Sequence, residues 1–149
     1  MVKYTQGKYK VINRAKYKGD LNNVIYRSSW EMSYMFKLDT DANVIEWSSE
    51  ELIIPYRDVN GVVRRYFTDF KVKRKVGEQI ITEIIEIKPY KETIPPVLSE
   101  GAKTKTKIRQ ILTWDVNSRK WEAARKFCDR KGWIFKIVTE KDMPGVGRK

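Results

Sequence analysis

The spacing of apolar and polar positions changes along the chain, and each change marks an element. Over about residues 28–39, SSWEMSYMFKLD, Ser29, Ser33 and Lys37 recur at helical spacing as a polar stripe, which predicts an amphipathic helix. Ser28 followed by Glu31 is a capping-box signature for its start. The opposite side of that helix carries Glu31, Met35 and Leu38. Glu31 therefore falls on the apolar face, where an unpaired charge is costly; the cap by itself is the other account of it.

Further on, the period drops to two. A short extended piece at about 43–47 precedes strands expected at about 51–57 (ELIIPYR), 62–73 (VVRRYFTDFKVK) and 79–88 (QIITEIIEIK), the last ended by Pro89. Asn60-Gly61 is a hairpin signal, and Val76-Gly77-Glu78-Gln79 a second turn. Three consecutive strands joined by tight turns predict an antiparallel meander. Residues 90–102, with Pro95-Pro96, read as a loop long enough to invite a role. A helical pattern occupies about 103–114 and continues or restarts over 117–131, with Gly132 as its C-cap. WIFKIV at 133–138 reads as a buried strand. The order is helix, three-stranded meander, helix, strand: an α/β fold with one sandwich layer around a mixed sheet. Residues 23–140 form the domain, with a basic, aromatic N-terminal arm at 1–22 and a frayed tail at 141–149. The arm alternates cations with tyrosines, either as a solvated segment or as one that tracks a nucleic-acid strand by charge and stacking.

The stretch 79–89, QIITEIIEIKP, is where the pattern turns chemical. By alternation Ile80, Thr82, Ile84, Glu86 and Lys88 share one face of the sheet, so an isoleucine face finishes in a carboxylate and an ammonium. If Gly77-Glu78 is a two-residue type II′ turn, Val76 pairs with Gln79 and Asp69 falls opposite Glu86. Opposed carboxylates repel, and a divalent cation between them reverses the sign. The D/E-x-K pattern alone decides little, because Asp69-Phe70-Lys71, Glu86-Ile87-Lys88 and Asp129-Arg130-Lys131 all fit it. The simpler account of Glu86 and Lys88 is an exposed ion pair worth about 0–1 kcal/mol.

Composition narrows the chemistry. The formal charge of +12 over 149 residues is a usual electrostatic footprint of polyanion binding, with a merely soluble basic protein as the plainer account. With no histidine and a single cysteine, Cys128, Ser-His-Asp triads, His-dependent zinc sites and thiolate clusters are excluded, and the lone cysteine fits a reducing setting. No run approaches the ~18 apolar residues of a membrane span, and the Lys- and Tyr-rich N-terminus lacks the apolar core of a signal peptide. A metal must then rest on oxygen ligands, which points to Mg²⁺ or Mn²⁺. Asp69, Glu86 and the backbone carbonyl of Ile87 would hold Mg²⁺, Lys88 would orient a water or stabilise charge on a phosphate, and Glu31 would bind a water or second ion. That set suits metal-assisted phosphodiester hydrolysis.

The arrangement resembles the PD-(D/E)XK nuclease superfamily, in which an Asp stands on the second meander strand, D/E-x-K on the third and often a Glu on the first helix. Asp69, Glu86, Lys88 and Glu31 match those places, with Thr68 where the superfamily has proline. More closely, the stretches YKGD, YRSSWE, IEWSSEELIIPY, RRYFTDF, EIKPYKETIPP, ILTWDVNSRKW and FKIVTE are similar to the head-completion nucleases of T-even-type tailed phages. The resemblance covers about Tyr17 to Glu140. It implies a restriction-endonuclease-like core and a Mg²⁺-dependent deoxyribonuclease acting on packaged DNA or DNA ends. Its partners would be DNA and capsid or neck proteins, in the host cytoplasm or on the virion, without membrane or nucleotide cofactor. Arg27, Arg65, Lys91 and Lys105 are candidate phosphate contacts. Arg65 is chosen over Arg64 because it shares the Asp69 side of a continuous strand. A non-catalytic DNA-end or capsid-neck binding protein and a nuclease for branched DNA are the rival expectations.

Overall fold

The computed structural model describes residues 6–143. In chain order they form β1 (Gly7–Lys8), a 3-10 turn (Arg14–Lys16), β2 (Ile25–Tyr26), α1 (Ser29–Thr40), β3 (Val44–Ser49), β4 (Ile53–Arg57), β5 (Val63–Phe67), β6 (Phe70–Val76), β7 (Gln79–Ile87), a second 3-10 turn (Tyr90–Thr93), α2 (Thr104–Lys131) and β8 (Ile134–Val138). The main sheet runs β3-β6-β7-β8, with β7 and β8 parallel and the other pairs antiparallel.

The turn between β6 and β7 sets the register. Gly77 takes φ +62° and Glu78 is not in the positive-φ region, the type II′ pattern, which matches the twist of the flanking strands. Val76 accordingly pairs with Gln79, and the ladder continues without a slip to Phe70↔Ile85. Asp69 and Glu86 occupy the next step of that register.

The expected meander is corrected in its first strand. Residues 62–73 do not form one strand, because the chain breaks at Thr68-Asp69 into β5 and β6, and β4 pairs only with β5. The sheet neighbour of β6 is β3, so the extended piece at 44–49 is the first meander strand. The break has a local cause. Thr68 sends both its N–H and its hydroxyl to the Leu52 carbonyl, each at 3.1 Å, and Glu50 turns the opposite strand with φ +56°. Register slips by one residue between Ser49↔Phe70 and Ile53↔Phe67. The outer part of a long hairpin thereby becomes a separate two-stranded ribbon.

Two helices cover opposite faces of the sheet, so the domain has three layers rather than the expected single sandwich layer. On one face Trp30, Tyr34, Met35 and Leu38 of α1 pack with Trp47, Phe70, Val72, Ile85 and Ile87. On the other, Trp121 and Ala124 of α2 pack with Ile54 and Tyr66 of the ribbon and with Phe135 and Ile137 of β8. Each fully buried aliphatic or aromatic side chain contributes about 1.5–3 kcal/mol relative to exposure. The pattern at 103–131 is one continuous helix, closed by Gly132 at φ 72°, a left-handed C-cap that suits glycine.

The described part of segment 1–22 is not an arm. Val11 and Tyr17 are buried in the α1-side core. Asp39, fully buried near the end of α1, accepts hydrogen bonds from Tyr9 Oη (2.7 Å), Ile12 N (2.7 Å) and Asn13 N (3.0 Å). Lys16 Nζ donates to the Asp39 and Asp41 carbonyls at 3.0 and 2.8 Å, where a cation also complements the helix C-terminus. Tyr17 meets Trp47 edge-on at 4.7 Å. These bonds and ring contacts engage Tyr9, Lys16 and Tyr17, while Lys8 and Lys10 stay exposed. Of the tail expected at 141–149, residues 144–149 lie outside the described part.

Candidate active site

Asp69 stands in the two-residue gap between β5 and β6. Its carbonyl accepts from Glu50 N at 3.1 Å, and its Oδ2 accepts from Ile87 N at 2.8 Å. The side chain is therefore fixed across the ladder onto the strand that carries Glu86. Glu86, on the buried α2 face of β7, accepts from Tyr66 Oη at 2.6 Å through Oε1. Lys88 Nζ approaches its other oxygen, Oε2, at 3.9 Å. The β6–β7 ladder carries Glu86 and holds Asp69 one residue before β6, and the bent ribbon supplies Tyr66 from the side.

The electrostatics show the strain of that assembly. Asp69 keeps some accessible area at the mouth of the site, but its carboxylate is desolvated. Burial first, then the neighbouring Glu86 and Glu31, hold its pKa well above the usual range, against the Ile87 N–H and Lys88. Glu86 is also pushed up by burial and drawn back by the Tyr66 hydrogen bond, Lys88 and Lys120. Tyr66 is raised far above an ordinary phenol by burial and by Glu86, so it stays protonated and donates. These are the shifts expected when like charges share a poorly solvated site.

Glu31 enters from α1. Its N–H donates to Ser28 Oγ at 3.2 Å, so the expected N-cap is present. Its carboxylate reaches back to Arg27 N at 3.3 Å rather than to the N–H of Ser28, one residue beyond the usual partner of a capping box. Burial raises Glu31, with Glu50 and Glu86 adding to the shift and the Arg27 N–H opposing it. Glu31, Asp69, Glu86 and Lys88 are thus brought within one electrostatic neighbourhood.

The phosphate candidates divide. Arg27 is at the site, where its guanidinium pairs with Glu50 at 2.9 and 3.0 Å and senses Asp69. Arg65 is not. It alternates with Tyr66 on β5, and since Tyr66 turns inward to Glu86, Arg65 is exposed on the outer side, over the Phe67 ring at 5.5 Å. The break at Thr68-Asp69 is why counting parity along one strand misplaced it. Lys91 lies in the 3-10 turn after β7 and lines a cavity against α2. Lys105, in the first turn of α2, stands roughly 22 Å along the helix from Lys120, at 1.5 Å per residue.

Three neighbours of the site were not singled out from the sequence. Tyr66 was legible only as one of several alternating aromatics. Lys120 lies 5.6 Å from the Tyr66 ring and 5.9 Å from the Tyr56 ring, and adds a second cation near Glu86. Glu50 occupies a left-handed backbone region that costs a non-glycine residue about 1–2 kcal/mol, and no sequence pattern announces it.

Among the described residues no group of three or more His, Cys, Asp or Glu side chains forms a metal cage. What is present is a desolvated pair, Asp69 and Glu86, next to the backbone of Ile87. Hard oxygen donors of that kind suit Mg²⁺, which is commonly held by one or two carboxylates while keeping waters. The mutual repulsion raising Asp69 is also the charge a dication would neutralise.

With this geometry in view, two likenesses bear on it. Residues 41–140 match the sequence profile of the family described as TnsA-like endonuclease N terminal. The chain is also 40% identical over 147 residues to the head completion nuclease of Enterobacteria phage T4, covering 96% of each chain.

Proposed function

The chain belongs to the TnsA-like endonuclease N-terminal family, and from that premise we propose that it is a metal-dependent deoxyribonuclease of the PD-(D/E)XK type, cutting packaged DNA or DNA ends during completion of a phage head. The nuclease assignment follows from that family and from the relative named a head completion nuclease. The observation that carries the metal-dependent reading is the desolvated Asp69–Glu86 pair, which binding alone gives no reason to build.

Asp69 and Glu86, with the Ile87 carbonyl, would hold Mg²⁺ or Mn²⁺. When bound, such an ion supplies Lewis-acid polarisation of a phosphoryl oxygen and a lowered pKa for water. The chain's own groups do the rest. Tyr66 fixes the orientation of Glu86 by its 2.6 Å hydrogen bond, and the Ile87 N–H does the same for Asp69. Lys88 presents an ammonium beside Glu86, placed to orient water or to stabilise charge gathering on the phosphate. Glu31 is positioned to accept a hydrogen bond from a water on the α1 side. Arg27 supplies a cation at the mouth, where phosphate contacts give affinity without sequence readout. Capsid or neck proteins are the partners this role implies.

The test is cleavage of linear, overhanging and branched DNA by the purified full chain in Mg²⁺ or Mn²⁺, against EDTA. Metal-dependent cutting is expected. No cutting of any form removes the enzymatic reading and leaves DNA-end or neck binding. Cutting confined to branched DNA replaces end processing with resolution of junctions.

A further inference from the structure

Between the 3-10 turn that follows β7 and the first half of α2 lies a cavity that the proposed chemistry does not use. It has a volume of about 410 Å³. That size falls within the roughly 300–1,000 Å³ of sites that enclose small organic groups. Pro95 and Trp114 furnish flat apolar walls, Asn117 and Gln110 furnish amides, and Lys91 and Arg109 supply cations. Asn117, only 8% exposed, is part of that lining.

The location ties the cavity to the site. Asn117 precedes Lys120 by three residues of α2, so the two are neighbours on one side of the helix, within about one 5.4 Å turn. Lys120 senses Glu86 and overlies Tyr66. At the opposite wall, Lys91 follows Lys88 by three residues. A DNA strand whose phosphate reaches Lys88 would therefore carry an adjacent nucleotide past this opening.

We propose that the cavity receives a nucleobase splayed out of the strand next to the scissile phosphate, and that it makes the enzyme read unpaired nucleotides at an end, overhang or junction. This rests on the nuclease reading above and names its substrate class. Each feature has a counterpart in the chemistry of a nucleotide. An aromatic wall stacks on any base, whatever its sequence. Amides offer both a donor and an acceptor to a base edge. Cations at Lys91 and Arg109 meet the flanking phosphates. A base within a duplex is stacked on both sides and must leave the stack to enter a side pocket. Only a strand that is already unpaired, or easily frayed, offers one cheaply.

The experiment is binding of labelled hexathymidylate to the full chain in EDTA, followed by fluorescence anisotropy, beside an abasic hexamer of identical charge. Wild type is expected to bind hexathymidylate about tenfold more tightly than the abasic strand, in the range of a single stacking contact. Trp114→Leu, which removes the stacking face and keeps an apolar side chain at a half-buried position, is expected to remove most of that difference. Arg109→Ala, at an exposed position, is expected to weaken both strands alike. Equal binding of the two strands by wild type overturns the proposal, as does a base preference that survives Trp114→Leu. Cleavage of plasmid DNA in Mg²⁺ is measured on the same preparations. Cutting without base preference sinks the cavity assignment and spares the nuclease; base preference without cutting does the reverse.

Discussion

Tyr66 Oη stands 2.6 Å from Glu86 Oε1, and both side chains are buried. The bond joins the outer ribbon to the central strand β7 and uses the Glu86 oxygen that does not face Lys88. It also draws the pKa of Glu86 down against the rise imposed by burial. Tyr66→Phe deletes the donor and keeps the ring. Glu86 should then ionise at higher pH, so the acidic limb of the cleavage-rate profile moves upward. The Mg²⁺ concentration for half-maximal rate should rise about tenfold, as for other groups that orient a metal ligand. A profile and a Mg²⁺ requirement that both match wild type would show the bond to be structural only.

Asp69 makes the metal-free protein sensitive to pH in an unusual direction. Its folded pKa is raised well above the usual value, so the native state retains a proton that the unfolded chain loses near pH 4. Its contribution to stability is full below that pH and is lost as pH rises through the folded value. Glu31 and Glu86 are raised as well and act with the same sign, while Asp58 is lowered and titrates beneath this window. Urea unfolding in EDTA should therefore show stability falling from pH 5 to pH 8, and added Mg²⁺ should restore more at pH 8. Asp69→Asn should flatten the slope, add about 0.5–2 kcal/mol at pH 8 and abolish cutting. Stability that climbs over this range in EDTA would contradict the linkage.

How much of this was legible in the sequence follows from which forces act locally. Gly77-Glu78 chose its own turn type, and the turn fixed a register that places Asp69 and Glu86 at the same step. The cap at Ser28 and the stop at Gly132 are likewise decided by nearby backbone. The ribbon was misjudged because its cause is not local. Thr68 ends β5 by bonding Leu52 across the hairpin, and Glu50 bends the partner strand by a backbone strain that composition does not reveal. The same break displaced Arg65 and turned Tyr66 toward Glu86. The described part of segment 1–22 looks solvated in sequence until Asp39, some 26 to 30 residues away, is seen to hold the Tyr9 hydroxyl and the Ile12 and Asn13 N–H groups.

Asp39 gives a direct test of that docking. Its carboxylate accepts three hydrogen bonds from the N-terminal segment with no exposure to water. Bonds to a charged group contribute about 1.5–3 kcal/mol each before coupling is considered. Asp39→Ala strands the Ile12 and Asn13 N–H groups together and should cost at least about 3 kcal/mol in urea unfolding, with hydrogen exchange rising first over residues 9–16. A loss under about 1 kcal/mol, or protection that stays unchanged there, would mean the core holds this segment without the carboxylate.

Two ammonium groups flank Glu86, and their substitutions should separate chemistry from support. Lys88 is only partly exposed and stands 3.9 Å from Glu86 Oε2; an ion pair of that length adds little stability. Lys88→Ala should leave the urea midpoint nearly unchanged and lower kcat by about 10²–10³, the loss typical of one group that stabilises transition-state charge. Because a cation beside the carboxylates repels a metal ion, the Mg²⁺ requirement should not rise. Lys120 acts from farther off, through the Tyr56 and Tyr66 rings. Lys120→Ala should slow cutting by less than about tenfold while losing roughly 0.5–1 kcal/mol of stability with its cation–π contacts. Equal rate losses in the two variants, or a Lys88→Ala defect rescued by extra Mg²⁺, would place Lys88 among the supports of the site rather than at the reacting phosphate.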